Sequence, residues 1–494
     1  MKRYICVHGH FYQPPREDPW SETVPMEPSA APFHDWNQKI TAECYLPNTQ
    51  ARILSRDGKI EKLFNNFAHM SFDVGPTLLS WLKKNEPSLY ETIILSDQES
   101  RKIFSGQGSA MAQAYNHVIL PLANSHDKET QLIWGLRDFE YRFGRRAEGL
   151  WLPETAVDLE TLAIAERLGI RFTLLAPQQA LRFRLLGEAE WAETKNTPID
   201  PLVPYRLSLP GDRSITLFFF HGPLSKGLAF EGLLQDGETL KKSILSALPP
   251  PFTWPRLLNV VTDGETFGHH HHFGEMALAY LLNSLMEEKD SALTHYGEFL
   301  KQFPPQHEVE IQENSSWSCS HGVERWRSDC GCHLENHPGW NQAWRRPLRD
   351  AFDWLRDAVL PLFEREAGVF LNDPWAARND FISLLLDEEA EPENRPIYFK
   401  KHARQRMKPH EEERMIRLME LQRHLMFMYT SCGWFFDDPA GLETTLVLKH
   451  AVKALEMTGP LLGKNLDKEF FARLSKVKSN QPNKKFSNKN HLFL

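Results

Sequence analysis

The sequence has no long apolar run. No stretch approaches the roughly 18 consecutive apolar residues of a membrane-spanning helix, so no membrane partner is expected. The opening residues, Met1 to Val7, are too short in apolar character for a signal peptide. Cysteine is sparse, with six in 494 residues. In a large chain without a leader this fits reduced thiols and a cytoplasmic location. There is no excess of positive charge. Lys and Arg number 57 against 65 Asp and Glu, a net charge of −8, so no basic field recruits nucleic acid. There is no internal repeat of fixed period. Apolar residues at 41% and charged residues at 25% exclude disorder as the main state.

Aromatic and imidazole groups, by contrast, are abundant: 14 Trp, 31 Phe and 21 His. Trp is awkward as core filler because its N–H needs a partner. The excess therefore points to stacking surfaces for planar or sugar rings and to proton or metal chemistry.

Short apolar runs at Tyr4–Val7, Gly149–Leu152, Ile170–Leu175, Ile215–Phe220 and Leu257–Thr262 read as buried strands. Leu159–Leu168 has helical spacing and is capped by Gly169. Strands alternating with helices indicate an α/β architecture with a parallel sheet. From about Gly339 the pattern becomes helical, with apolar residues three and four apart in Leu348–Phe363 and Glu411–Tyr429. The acidic stretch Asp387–Arg395 reads as a surface connector. The Lys- and Asn-rich segment 476–494 reads as a disordered basic tail.

In parallel α/β barrels, catalytic groups stand at the carboxyl ends of strands. Here those positions carry His8 and His10, Glu154, His221 and Asp263. Two carboxylates in such places are what glycosidic cleavage requires: one protonates the leaving oxygen, the other attacks the anomeric carbon or activates water. Taken singly each is weak, since Pro-Glu-Thr commonly starts a helix and Asp-Gly commonly makes a turn. Trp151 beside Glu154, and four histidines after Asp263, strengthen the pair.

The stretch Gly149-Leu150-Trp151-Leu152-Pro153-Glu154 resembles the nucleophile motif of glycoside hydrolase family 57. Thr262-Asp263-Gly264-Glu265-Thr266-Phe267-Gly268-His269 resembles that family's acid/base motif. Val7 to Pro14 is similar to the N-terminal His-Gln-Pro region, with Tyr12 where His usually precedes Gln-Pro. Gly108 to Leu122, including Tyr115-Asn116-His117, is similar to the second motif. Met428 to Phe435 is similar to the fifth, with Cys432-Gly433 in place of the usual acidic pattern. The C-terminal helical extension resembles an uncharacterised branch of the family.

The resemblance implies an incomplete (β/α)7 TIM-like barrel followed by a mainly α-helical C-terminal region. It implies a retaining enzyme on α-glucans of amylase, 4-α-glucanotransferase or branching type, acting by double displacement through a glycosyl-enzyme. Carried over by position, Glu154 is the nucleophile and Asp263 the general acid/base. His8, His10, His117, His221, His269 and His270 are expected to bond sugar hydroxyls, and Trp20, Trp151 and Trp434 to offer flat faces to sugar rings. The expected division is a barrel over 1–305, a Cys/Trp-rich loop over the site at 306–340, a helical domain over 341–475 and the tail from 476.

Two other readings of the residues compete. His269 to His272 beside Asp263 would suit a metal-dependent carbohydrate deacetylase, although adjacent histidines cannot all face one ion. A non-catalytic carbohydrate-binding barrel is the third reading, opposed by the intact carboxylate pair. No cofactor is required for glycosidic cleavage and no catalytic metal is expected. Cys319, His321, Cys330 and Cys332 form a candidate structural zinc site, with buried free cysteines as the alternative.

Overall fold

The computed structural model describes residues 2–248, 254–386, 391–482 and 484–489. It divides into two compact units. The first comprises Met1–Gln13, Met26–Gln113 and Phe139–Trp317; the second comprises Pro14–Pro25, Ala114–Asp138 and Ser318–Leu494.

Seven parallel strands build the first unit: β1 (Arg3–Phe11), β2 (Ser71–Val74), β3 (Ala110–Gln113), β4 (Gly149–Trp151), β5 (Phe172–Leu175), β6 (Arg213–Phe219) and β7 (Arg256–Asp263). Their hydrogen-bonded order is β7-β1-β2-β3-β4-β5-β6. Helical segments supply most of the crossovers that parallel pairing requires, except between β5 and β6, where the chain runs through the strands Ala180–Leu185, Ala192–Glu193 and Pro204–Leu209. One such helix is Leu159–Arg167, which Asp158 caps by accepting from the Thr161 amide. Gly169 follows it at φ +98°, a left-handed position that suits glycine.

This is the expected incomplete barrel. No ladder joins β6 to β7, so the ring stays open in backbone pairing. Asn259 bridges the gap, its side-chain Nδ2 donating to Phe219 O at 3.0 Å and its backbone carbonyl accepting from the His221 amide at 2.8 Å. Beyond β6 the sheet continues through Pro204–Leu209, His307–Ile311, Ala180–Leu185 and Ala192–Glu193, with antiparallel pairs among them.

Period-two alternation places every second residue of each strand on the barrel interior. Cys6 of β1, Met111 of β3, Trp151 of β4, Phe172 and Leu174 of β5, Phe218 of β6, and Leu257 and Val261 of β7 form one buried cluster with Tyr296 and Phe299. The barrel is therefore filled below the level of the strand ends.

The second unit is helical. Arg345–Phe370, Pro409–Phe427 and Leu442–Leu462 are its long helices. Leu348, Phe352, Leu355, Val359 and Phe363 are fully buried and lie on one stripe of the first of them. The segments Pro14–Pro25 and Ala114–Asp138 pack with these helices rather than with their chain neighbours, so the units cut across the chain order read from sequence.

The connector residues 387–390 lie outside the described residues, and Glu391–His402 is helix. In the C-terminal segment, Val477 is buried and Ser479 and Asn480 bond the Asp438 carboxylate. Residues 483 and 490–494 lie outside the described part.

Candidate active site

The register of β1 assembles the site. His10 lies opposite Asp73 of β2 on one side and Asp263 of β7 on the other. His8, two residues earlier on the same face, lies opposite Ser71. Both histidines sit inside β1, which runs to Phe11, four residues beyond the strand end at Val7 expected from sequence. The His-Gly-His-Phe segment is extended because neighbours on both sides pair with it.

Asp73 joins the two rings. Its Oδ1 lies 3.0 Å from His8 Nε2 and its Oδ2 lies 2.8 Å from His10 Nδ1. His8 Nδ1 is taken by Ser71 Oγ at 2.9 Å, so both His8 nitrogens are committed to protein partners. Burial pulls the His8 pKa down, against the opposing pull of Asp73. His10 behaves differently. Burial acts downward there too, but the charge and hydrogen bond of Asp73, with Asp263 and Glu265 adding to them, push it up to about 9. A protonated His10 thus stands among carboxylates.

Glu154 follows β4 in the tight turn Pro153–Thr155, where its backbone is left-handed at φ 59°, ψ 19°. Such a conformation in a residue other than glycine persists only when its surroundings hold it. Trp317 supplies part of that hold. Its amide donates to Glu154 O at 3.1 Å and its indole Nε1 donates to Glu154 Oε2 at 2.9 Å. Gln179 supplies more, accepting from Thr155 Oγ1 and donating to Thr155 O, both at 2.8 Å.

Asp263 ends β7. Its side chain has solvent access but stands in a dense protein surround. The resulting desolvation, with the charges of Glu154 and Asp73 adding and His10 opposing, raises its pKa to about 6. Two residues on, Glu265 is raised to about 7, mainly by burial, against a 2.6 Å hydrogen bond from Tyr45 Oη. The Tyr12 amide donates to the same Glu265 oxygen at 3.0 Å.

Glycine is required at two points of this turn. A Cβ on Gly264 would lie 2.2 Å from the Phe11 ring, and one on Gly268, at φ +136°, would lie 2.2 Å from Glu43 O. Asp263-Gly264 is therefore less a generic turn than a place where an aromatic ring packs on bare backbone.

A family model described as glycosyl hydrolase family 57 matches residues 7–312. The chain belongs to glycosyl hydrolase family 57. A second model, a domain of unknown function (DUF3536), matches residues 340–491. No curated protein matches the chain. Among solved structures, an exo-type maltose-forming amylase from Pyrococcus sp. ST04 superposes with a TM-score of 0.71 at 14% identity, covering 96% of this chain and 83% of that one. A 4-alpha-glucanotransferase from Thermococcus litoralis gives 0.54 at 15% identity, covering 92% and 59%. A branching enzyme from Thermococcus kodakaraensis gives 0.57 at 14% identity, covering 96% and 94%. At these identities the likeness is one of fold.

In this family 57 chain the first unit holds Glu154, Asp263, His8, His10, Trp151, His221, His269 and His270. Trp151 offers no open face. It is fully buried, covered by His10 at 4.7 Å and His8 at 5.3 Å between ring centroids, with Trp317 edge-on at 5.1 Å. It is the floor under the histidines rather than a stacking platform, because its place on β4 points it into the barrel. His221 caps the helix Gly222–Phe230, accepting from the Leu224 amide at 3.2 Å. The four consecutive histidines diverge. His269 Nδ1 pairs with Glu43 at 2.5 Å, and His271 Nε2 lies 2.9 Å from Ala229 O. The protein surround, with the charges of His269 and His271, pushes His270 down to about 4.

Trp20, His117 and Trp434 belong to the second unit. The Trp20 indole donates to Glu456 at 2.7 Å, and the ring is 39% exposed. His117 is left-handed at φ 53° and bonds Ser431 Oγ at 2.6 Å through Nδ1, so the stretches resembling the second and fifth family motifs meet. Trp434 is fully buried under Arg349, whose guanidinium lies 4.2 Å from the ring centroid. It too presents no free face, because the long helices close over it.

Asp73 and Trp317 were not legible as site residues, whereas Glu265 stands inside the stretch that resembles the acid/base motif but was given no role there. Ser-Phe-Asp-Val and Ser-Ser-Trp-Ser carry no spacing signal, and each joins the site through pairing with distant chain. Cys319, His321, Cys330 and Cys332 do converge: one ligand atom from each lies within 4.8 Å of every other, a set able to hold a metal ion.

Proposed function

We propose that this family 57 glycosidase is a retaining enzyme on α-glucans, with Glu154 as nucleophile and Asp263 as general acid/base. The observation that carries the reading is the placing of two carboxyl groups at strand ends within electrostatic reach of each other. Asp263 is raised to about 6 by its surroundings, with Glu154 contributing, so it holds a proton into the mildly acidic range. Glu154 accepts from the Trp317 indole, a hydrogen bond that fixes the orientation of the nucleophile's carboxyl group.

In the first step Glu154 attacks the anomeric carbon as Asp263 protonates the departing glycosidic oxygen, giving a glycosyl-enzyme. In the second, Asp263 accepts a proton from water or from an acceptor sugar hydroxyl, which displaces Glu154. Water yields hydrolysis and a sugar yields chain transfer. His10, cationic between Asp73 and Asp263, is placed to balance the carboxylates as protons move. The substrate class rests on family membership and on relatives of shared fold that are described as a maltose-forming amylase, a glucanotransferase and a branching enzyme. Six free cysteines fit a reducing, cytoplasmic setting.

The test is product analysis on a panel of α-glucans with wild type, Glu154→Gln and Asp263→Asn. Both variants are expected to lose turnover, by about a hundredfold to ten-thousandfold for Asp263→Asn on poor leaving groups. Unchanged turnover in both would overturn the assignment. Inversion of anomeric configuration in the products would overturn the retaining step alone.

A further inference from the structure

We propose that Cys319, His321, Cys330 and Cys332 bind one zinc ion in a closed structural site of the second unit. A tetrahedral zinc with sulfur ligands at about 2.3 Å sets the sulfurs roughly 3.8 Å apart, and sulfur to nitrogen slightly closer. The side chains already stand on such a figure. Cys332 Sγ is 3.8 Å from Cys319 Sγ and 3.7 Å from His321 Nδ1, and Cys319 Sγ is 4.0 Å from Cys330 Sγ. Thiol–thiol hydrogen bonds are weak and give no reason to gather three sulfurs and an imidazole.

The surroundings fit thiolates. Arg345 is fully buried and pairs with no carboxylate among the described residues, yet its Nη1 lies 3.8 Å from Cys330 Sγ. Three thiolates and a neutral histidine around a divalent ion leave one net negative charge, which this guanidinium would balance. Its other nitrogen reaches Phe435 O and Phe436 O at 3.5 and 3.3 Å, tying the cluster to the short helix Cys432–Phe435. Immediately after the last cysteine, the amides of Leu334 and Glu335 donate to the Asp437 carboxylate at 2.9–3.0 Å. Between Gln312 and Trp344 the only described regular element is the single turn Glu324–Trp326. A metal cross-link would supply the order that secondary structure does not. Four protein ligands fill the tetrahedron, so the site has no open position for catalysis.

The experiment is metal analysis of the full-length protein purified without chelator, followed by cobalt substitution of the intact chain. Expected are one zinc per chain, its release by a mercurial thiol reagent, and thiolate-to-cobalt charge-transfer bands of a tetrahedral site. Cys330→Ser should lose most of the zinc. Cys332→His, which keeps four ligands, should retain it with weaker charge-transfer absorption. If Cys330→Ser does not fold, the wild-type and Cys332→His spectra still decide. Metal-free protein that takes up no cobalt, or a disulfide among Cys319, Cys330 and Cys332 in the native chain by mass spectrometry, would overturn the proposal. None of these readouts depends on which glycan is turned over.

Discussion

Trp317 grips Glu154 twice, by its backbone amide and by its indole. A hydrogen bond to a charged group contributes about 1.5–3 kcal/mol. Trp317→Phe keeps the ring and removes only the donor, so kcat/KM is expected to fall roughly ten- to a hundredfold with the circular dichroism spectrum unchanged. A variant at wild-type activity would show that this bond does not orient the nucleophile. His10 makes the second argument at this scale. Its cation lowers the Asp263 pKa, so in His10→Gln that pKa rises and the alkaline limb of the rate profile, near pH 6 in wild type, moves to higher pH. His10 itself is raised in the folded state from 6.5 to about 9. Its contribution to stability is therefore complete below pH 6.5 and lost as pH climbs through about 9. The wild-type melting temperature should drop across that window, and that of His10→Gln should drop less. The strand-end places of Glu154 and Asp263 were legible from sequence because proline and glycine punctuate the apolar runs there. That of Asp73 was not, because a carboxylate in Ser-Phe-Asp-Val looks like the wet face of a strand until β1 lies beside it.

At the scale of elements, the turn after β7 is a tightly constrained piece of backbone in the first unit. The Gly268 conformation is one that residues with a Cβ rarely adopt, and the Glu43 carbonyl occupies the space a methyl would need. Gly268→Ala is expected to destabilise by about 2–4 kcal/mol, measured by denaturant unfolding. It should also weaken substrate binding, since His269, Glu43 and the acid-bearing turn shift together. A loss below about 0.5 kcal/mol would mean the turn relaxes freely. Five of the seven barrel strands were legible as apolar runs and the long helices by their period, whereas the short β2 and β3 were not. The apolar runs of β5 to β7 and the stripe from Leu348 to Phe363 appear within a few residues of where they were expected. The extension of β1 through His10 was not, since a polar His-Gly-His run becomes strand only through partners on both sides. The same holds for Asn259, a buried polar residue whose sense lies in the opening between β6 and β7.

For the whole molecule, the match to family 57 ends at residue 312 and the second model begins at 340, which invites cutting the chain between them. The packing argues against it. The second unit includes Ala114–Asp138, and several buried hydrogen bonds of that segment reach residues beyond 370. Trp134 is fully buried and donates its indole to Arg378 O at 3.1 Å. Arg378, itself buried, pairs with Asp127 at 2.8 Å and bonds Thr130 and Gln422. Periodicity shows that such segments have an apolar face but not which distant face covers it, so the chain order read from sequence missed this weave. Removing one partner of a buried ion pair is destabilising by about 3–5 kcal/mol, a large part of the 5–15 kcal/mol that holds a typical domain. A fragment of residues 1–340 loses Arg378, the cover over Trp134 and the Ser431 partner of His117 at once. It is expected to express as aggregates or as a species that binds a hydrophobic dye and melts without cooperativity. A soluble monomer of 1–340 that unfolds cooperatively within a few degrees of the full chain would show that these buried contacts with the residues beyond 340 are dispensable for folding.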